Sequence, residues 1–265
     1  MIKYAMAAAT AAALSLGAAQ AHAAQLPQDA PAGPSGYDVT DFSGFYAGVN
    51  LGGRVGGQDD VHTVGQAAPN IANIAGGARP GFVPLDRKGI LGGGQFGYNY
   101  QIGRVVAGLE TDFDGIDADD TNTVVTKQLN TGLPLNNTFR SDLQYLGTFR
   151  GRLGVVFHRA LFYGTGGLAY GESRQRVDMF GPTGGVVQFH GDRSQIQTGY
   201  AAGGGVEYPL SRNISVKAEY LYYDLGKETL NVAVIPGSGG AGTGYNSQFR
   251  NDGQVVRIGV NYAFR

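Results

Sequence analysis

From Phe42 to the C-terminus, apolar and polar residues alternate with a period of two, and the alternation recurs in eight segments. In QVVRIGVNYAFR, Val256, Ile258, Val260, Tyr262 and Phe264 share one face, while Val255, Arg257, Gly259, Asn261 and Ala263 share the other. In LQYLGTFRGRLGVVFH, Tyr145, Phe149, Leu153, Val155 and Phe157 lie with Gly147 and Gly151, opposite Gln144, Thr148, Arg150, Arg152, Gly154 and His158. The same pattern runs through Phe45–Leu51, Phe96–Tyr100, Val105–Phe113, Phe162–Tyr170, Ile196–Val206 and Ile214–Tyr222. No helical periodicity is apparent. Eight strands of roughly ten residues each match the length that crosses a hydrocarbon layer when tilted.

The connections alternate as well. Short turns are expected near 101–104, 158–160 and 209–213, and long polar or glycine-rich loops at 55–88, 116–140, 173–193 and 228–250. Aromatics gather near strand ends, as at Tyr98/Tyr100, Tyr220/Tyr222 and Tyr262/Phe264. Short turns on one side, long loops on the other and aromatic girdles between describe an outer-membrane barrel. Arg150 and Arg152 decide the orientation of the faces. A guanidinium stripped of water without a partner is very costly, so the arginine face points into the barrel and the Phe149/Leu153 face meets lipid. Lipid satisfies no open backbone edge, so the sheet must close on itself. A soluble eight-stranded barrel would invert the pattern, with charges outside. The fold class expected is therefore an all-β, eight-stranded antiparallel up-and-down transmembrane β-barrel over residues 42–265.

The N-terminus agrees with export. MIKYAMAAATAAALSLGAAQAHA carries one charge at Lys3, an alanine-rich apolar run and an Ala21-His22-Ala23 cleavage site, predicting a signal peptide over 1–23. Residues 24–41, rich in Pro, Gly and Asp, read as a flexible lead. The charge is −1 for the 265-residue chain, which gives no footprint for nucleic acid. With no cysteine, disulfides, thiolate metal sites and cysteine nucleophiles are excluded.

The lumen set then consists of Glu110, Asp112, Asp114, Glu207 and Glu219 against Arg150, Arg152, Lys217 and Arg257. Neighbouring strands place Glu110/Asp112 near Arg150/Arg152, Glu207 near Lys217, and Arg257 opposite Tyr46 and Asn50 and close to Glu219. An eight-stranded closure leaves an interior just filled by side chains, which favours a structural plug of crossed ion pairs over a polar pore for small hydrophilic solutes. A Glu110/Asp112 catalytic dyad is disfavoured, because adjacent arginines hold both groups ionised. The segment Gly92–Gly97 formally matches GxGxxG, but it sits within a strand followed by another strand rather than opening a helix. His62 and His190 fall on long loops, where a metal or haem contact is the less favoured reading; no cofactor and no metal are expected. The first loop carries an apolar stretch, AAPNIANIAGGARPGFVPL, that either marks a contact surface or packs across the barrel mouth.

The strings FSGFYAGVNLGG, LGTFRGRLGVVF, LFYGTGGLAYG and VRIGVNYAF, in that order, resemble the repeated strand signatures of the outer-membrane immunogenic protein family, opacity-like small porins. The resemblance spans nearly all of the chain after Phe42. It implies a non-enzymatic, surface-exposed envelope protein in contact with outer-membrane lipid and lipopolysaccharide, often host-facing, with cell-wall or host factors met through the loops. Some relatives are implied to be porins or haem binders. One departure is that Arg265 follows the terminal aromatic Phe264, displacing the signal that barrel assembly machinery reads.

Overall fold

A computed structural model describes residues 40–55, 58–86, 88–117, 120–182 and 185–265. The expected signal peptide and nearly all of the expected lead lie outside the described residues. Eight strands form the ring: β1 (Gly44–Arg54), β4 (Gly89–Ile102), β5 (Val105–Asp117), β7 (Pro134–Phe157), β8 (Ala160–Phe180), β9 (Val187–Pro209), β10 (Ile214–Val234) and β11 (Gly244–Phe264). Each pairs antiparallel with its neighbour, and β11 closes the ring on β1 from Phe45↔Phe264 to Arg54↔Val255. Closure leaves no edge for lipid to meet. Tight turns at 103–104, 158–159 and 210–213 join strands at one end. The first holds Gly103 at φ 58° and the second His158 at φ 56°, the left-handed geometry that hairpin turns require.

Outward positions are apolar. Val49, Leu109, Leu153, Leu168 and Ile258 are exposed to the surroundings of the barrel. Phe113 stacks on Tyr145, Tyr145 meets Tyr170 edge-on, and Tyr200 packs on Tyr222, which draws one aromatic girdle across β5, β7, β8, β9 and β10. Phe45, Tyr98, Tyr262 and Phe264 mark the other, at the end with short turns. There Phe264 pairs with Phe45, and the Arg265 guanidinium donates to the Asp41 carbonyl.

The strands reach well past the second girdle, and three expected loops become sheet. β7, β8, β9, β10 and β11 run to 21–24 residues. Segments 116–140, 173–193 and 228–250 are largely strand among the described residues, with turns at 128–133 and 235–243 and the non-strand residues 181–182 and 185–186 between β8 and β9. Further strands thicken this outer wall: β2 (Gln58–Gly65) pairs with β11 and with β3 (Phe82–Asp86), and β6 (Asp120–Lys127) pairs with β7. The first loop also holds a helix that no periodicity announces. An eight-residue helix, α1 (Ala68–Ala75), carries Pro69 in its first turn, where the missing N–H has no intrahelical partner to lose. Eight residues are too few to leave a periodic signature. α1 lies over the mouth: Asn70, fully buried, donates to the Ala241 carbonyl and accepts from the Thr243 and Gly244 amides, and Ile74 packs on the core beneath. The apolar stretch of the first loop thus divides: Ala78, Val83 and Leu85 are buried on its own barrel, and Ile71 and Phe82 are exposed.

Two bulges change which residues face inward. Between Leu143 and Tyr145 the register of β7 shifts, so Leu143 is buried in the lumen and Gln144, expected inside, is only half-buried. Between Asp224 and Lys227 the register of β10 shifts at Gly226, whose φ of +89° suits glycine. A bulge adds one residue to one strand and so reverses the faces beyond it. His158, also expected inside, is exposed in its turn.

The interior is layered. At the short-turn end Phe42, Val106, Val156, Leu161 and Tyr163 form a small apolar floor. A charged layer follows, then apolar Leu91, Leu143, Leu146, Leu221, Tyr223, Leu225 and Val255. Beyond a thin polar belt, Val61, Val83, Leu85, Phe139, Val177, Met179, Phe189, Leu230, Val232, Tyr245 and Phe249 fill the outer extension beneath α1.

Candidate functional site: the charged lumen

The charged layer is built from five strands. β5 contributes Glu110, Asp112 and Asp114, every second residue of one face; β7 contributes Arg150 and Arg152; β10 contributes Lys217 and Glu219; β11 contributes Arg257. Glu207 enters from β9. Direct Cα partners include Glu110↔Arg150, Lys217↔Glu207 and Glu219↔Arg257. None of the nine is more than 4% exposed, and all nine share one network.

Arg150 sits at its centre. Its guanidinium reaches Asp112 at 2.6 Å, Glu110 at 2.8 Å and Glu219 at 3.0 Å, while its Nε donates to Thr148 Oγ1 at 2.8 Å. Arg257 reaches Asp114 and Glu219 at 2.6 Å each and Asp112 at 2.9 Å. Arg152 binds Glu207 at 2.7 Å and lies with its guanidinium carbon 4.1 Å from the centre of the Tyr163 ring, a cation–π contact in a dry setting. Its Nη1 donates to the Tyr46 hydroxyl, which itself donates to Glu110 Oε2 at 2.7 Å.

Register and bonding do not coincide everywhere. Glu207 faces Lys217 across the ladder, yet it bonds Arg152, the Ser215 hydroxyl and Asn261 Nδ2, while Lys217 Nζ donates to both Glu110 oxygens at 2.9 Å. Long side chains in a narrow lumen reach across rather than sideways. Arg257 faces Gly52, not Tyr46 or Asn50; a Cβ on Gly52 would stand 2.6 Å from Arg257 Cβ and 2.4 Å from the Val256 carbonyl oxygen, so glycine there lets β1 and β11 approach closely.

Five carboxylates face four cations across distances of 2.6–3.0 Å, an arrangement that locks side chains rather than binding a mobile ion. On the short-turn side, the cleft lined by Tyr46, Glu207, Ser215 and Asn261 has a cavity volume of about 20 Å³, room for about one water. His62 lies on β2 against the Phe82 ring, and His190 on β9 contacts Asp178 at 2.7 Å. Among the described residues no cluster of three or more His, Cys, Asp or Glu has the arrangement of a metal site. Tyr46, Tyr163, Thr148, Ser215 and Asn261 complete the network without having been singled out in the sequence as its members, although all five fall on the inward faces of the alternation. The signal that identifies them is proximity to a buried charge, which only the fold supplies.

A closed eight-stranded barrel with an apolar belt, two aromatic girdles and an ion-paired interior defines a small outer-membrane protein. Residues 9–264 match the family described as outer membrane protein beta-barrel domain. The 31 kDa outer-membrane immunogenic protein of Brucella melitensis biotype 1 is 31% identical over 252 residues, covering 93% of this chain and 95% of that protein. The 22 kDa outer membrane protein of Rhizobium leguminosarum bv. viciae is 29% identical over 65% of this chain and 66% of its own length. The outer membrane protein OprG of Pseudomonas aeruginosa shares the fold, at 15% identity and a TM-score of 0.53 over 87% of this chain and 100% of that one. The chain belongs to the outer-membrane β-barrel family, within its outer-membrane immunogenic proteins, and resides in the outer membrane.

Proposed function

We propose that this is a non-enzymatic, non-conducting barrel that stabilises the outer membrane and presents a rigid surface outside it. The observation that carries the reading is the stacked interior. A solute would have to cross an apolar floor, an ion-paired layer and two further apolar layers, with α1 over the mouth. Long double-sided walls above the girdle replace flexible loops, so the outer end is a firm platform with contact tips at 128–133, at 235–243 and between β8 and β9. The belt contacts lipid and lipopolysaccharide, and the tips contact cell-wall or host surface factors. The carboxylates are held by arginines and serve packing, not acid–base chemistry.

The experiment is a strain lacking the chain. The reading expects increased sensitivity to deoxycholate and EDTA, restored by the wild type and by a variant with all three tips replaced by glycine-serine turns, while small-solute uptake stays unchanged. Unaltered detergent sensitivity with reduced solute uptake would replace this reading with a porin.

A further inference from the structure

The wall of the outer extension is interrupted at one place. β9 pairs with β10 from Pro209 up to Tyr200↔Asp224, and pairing resumes only at His190↔Ala233. Between these points β9 keeps its ladder to β8, and β10 its ladder to β11. The split starts one residue above Tyr200 of the aromatic girdle, where β10 bulges at Gly226. Five consecutive residues of β9, Asp192–Ile196, are exposed on both faces, which a strand in a closed wall cannot be. The inward-facing positions Arg193 and Gln195 therefore open to the outside.

Behind the split lies the thin polar belt between the two apolar layers. Across the sheet, Gln175 of β8 is the register partner of Arg193, and Ser173 that of Gln195. Gln175 is 2% exposed, and neither its Nε2 nor its Oε1 has a hydrogen-bonding partner; the Tyr223 hydroxyl below it, 0% exposed, has none either. Buried polar groups are nearly always satisfied, and each exception calls for an explanation. Gln197 donates to Glu228 Oε2 at 2.7 Å, and Arg193 spans the split to Glu228 at 3.0 Å as a side-chain latch where backbone bonds are missing.

We propose that this window is a lateral binding site for an uncharged, hydroxyl-rich ligand, a sugar residue. The unpaired amide offers a donor and an acceptor side by side, as a pair of sugar hydroxyls requires. Arg193 and Glu228 neutralise each other, so the site selects neither anion nor cation. Ile196, 61% exposed on the same stretch of β9, provides apolar surface for the C–H face of a ring, the usual composition of a ligand site with few polar groups. Its height just outside the girdle is that of the saccharide zone of the outer leaflet, so the sugar comes either from lipopolysaccharide or from a free oligosaccharide. The site does not depend on the envelope role proposed above.

The test uses protein purified from outer membranes, stripped of lipopolysaccharide and held in detergent micelles. The chain has no tryptophan and no cysteine, so Gln195→Trp reports from the window lip alone. It is titrated with soluble core oligosaccharide freed from lipid A, with intact lipopolysaccharide, and with lipid A. Saturable fluorescence change with the soluble core assigns a free sugar, and saturation with intact lipopolysaccharide alone assigns the anchored one. In both cases Gln175→Leu weakens binding at least tenfold. No saturation with either, or an equal response to lipid A, overturns the proposal. If Gln175→Leu does not fold, Gln195→Cys, altered at an exposed position, is reacted with a hydrophilic maleimide. At least tenfold slower labelling in the presence of the same sugars supports the site, and an unchanged rate refutes it.

Discussion

Replacing Arg257 with methionine removes one cation and keeps the bulk of the side chain. Arg257 is 1% exposed and holds Asp114, Glu219 and Asp112 at 2.6, 2.6 and 2.9 Å. Asp112 and Glu219 retain Arg150, but Asp114 loses the guanidinium that lies 2.6 Å away. Removing one partner of a buried pair costs about 3–5 kcal/mol, because the remaining charge stays without compensation. With a denaturant slope of about 2 kcal/mol per molar urea, this moves the unfolding midpoint down by about 2 M. The control is Arg250→Met. Arg250 also contacts two carboxylates, Asp224 and Asp252, but its side chain is 46% exposed. A surface pair contributes at most about 1 kcal/mol, so the control shifts by less than about 0.5 M. The assay is urea unfolding in micelles, followed by the loss of heat-modifiable migration. Adding Asp114→Asn to Arg257→Met should recover about 1 kcal/mol or more, since neighbours in one network are not additive. Equal shifts for Arg257→Met and Arg250→Met would refute the view that the charged layer acts as a core.

Gly167→Ala places a Cβ 2.1 Å from the Phe149 carbonyl oxygen, whereas Gly151→Ala finds its nearest neighbour at 3.9 Å. The first should cost about 1–3 kcal/mol by overpacking and the second almost nothing, as read from the same urea midpoints. Asn70→Ala removes three hydrogen bonds that seat α1 on the turn 241–244. Each is worth about 1 kcal/mol, so hydrogen exchange and proteolysis at 66–79 should rise at least tenfold while the unfolding midpoint of the barrel stays put. Gly199→Val drives a Cβ to within 1.8 Å of the Asp224 carbonyl where β9 and β10 part. Heat-modifiable migration should be lost or weakened in this variant, and unchanged in Gly103→Asn, whose φ of 58° asparagine tolerates.

The alternation of Val256 to Phe264 against Val255 to Ala263 was enough to orient β11, because membrane strands must present apolar side chains to lipid at every second position. The same logic placed the arginines of β7 and the acids of β5 inside. It faltered where a strand leaves the membrane. Above the girdle both faces of the wall meet either water or a private core, so Arg174 and Val177 no longer announce a strand, and 173–193 reads as loop. Bulges at Leu143–Tyr145 and at Gly226 reverse the faces without changing composition. The apolar layer around Phe139, Phe249 and Val61 unites residues far apart in the chain through pairings of β2 with β11 that no local pattern encodes. The bonding of Lys217 to Glu110 rather than to its ladder partner Glu207 depends on side-chain reach across the lumen.

The central claim is that the lumen is a packed core and not a path, and single-channel conductance in a planar bilayer tests it most directly. Protein with heat-modifiable migration, inserted at a density fixed by quantitation, is predicted to give no discrete openings at either polarity. Steady openings whose amplitude changes with Arg150→Ala or Arg152→Ala would contradict the claim and make the charged layer the lining of a small pore.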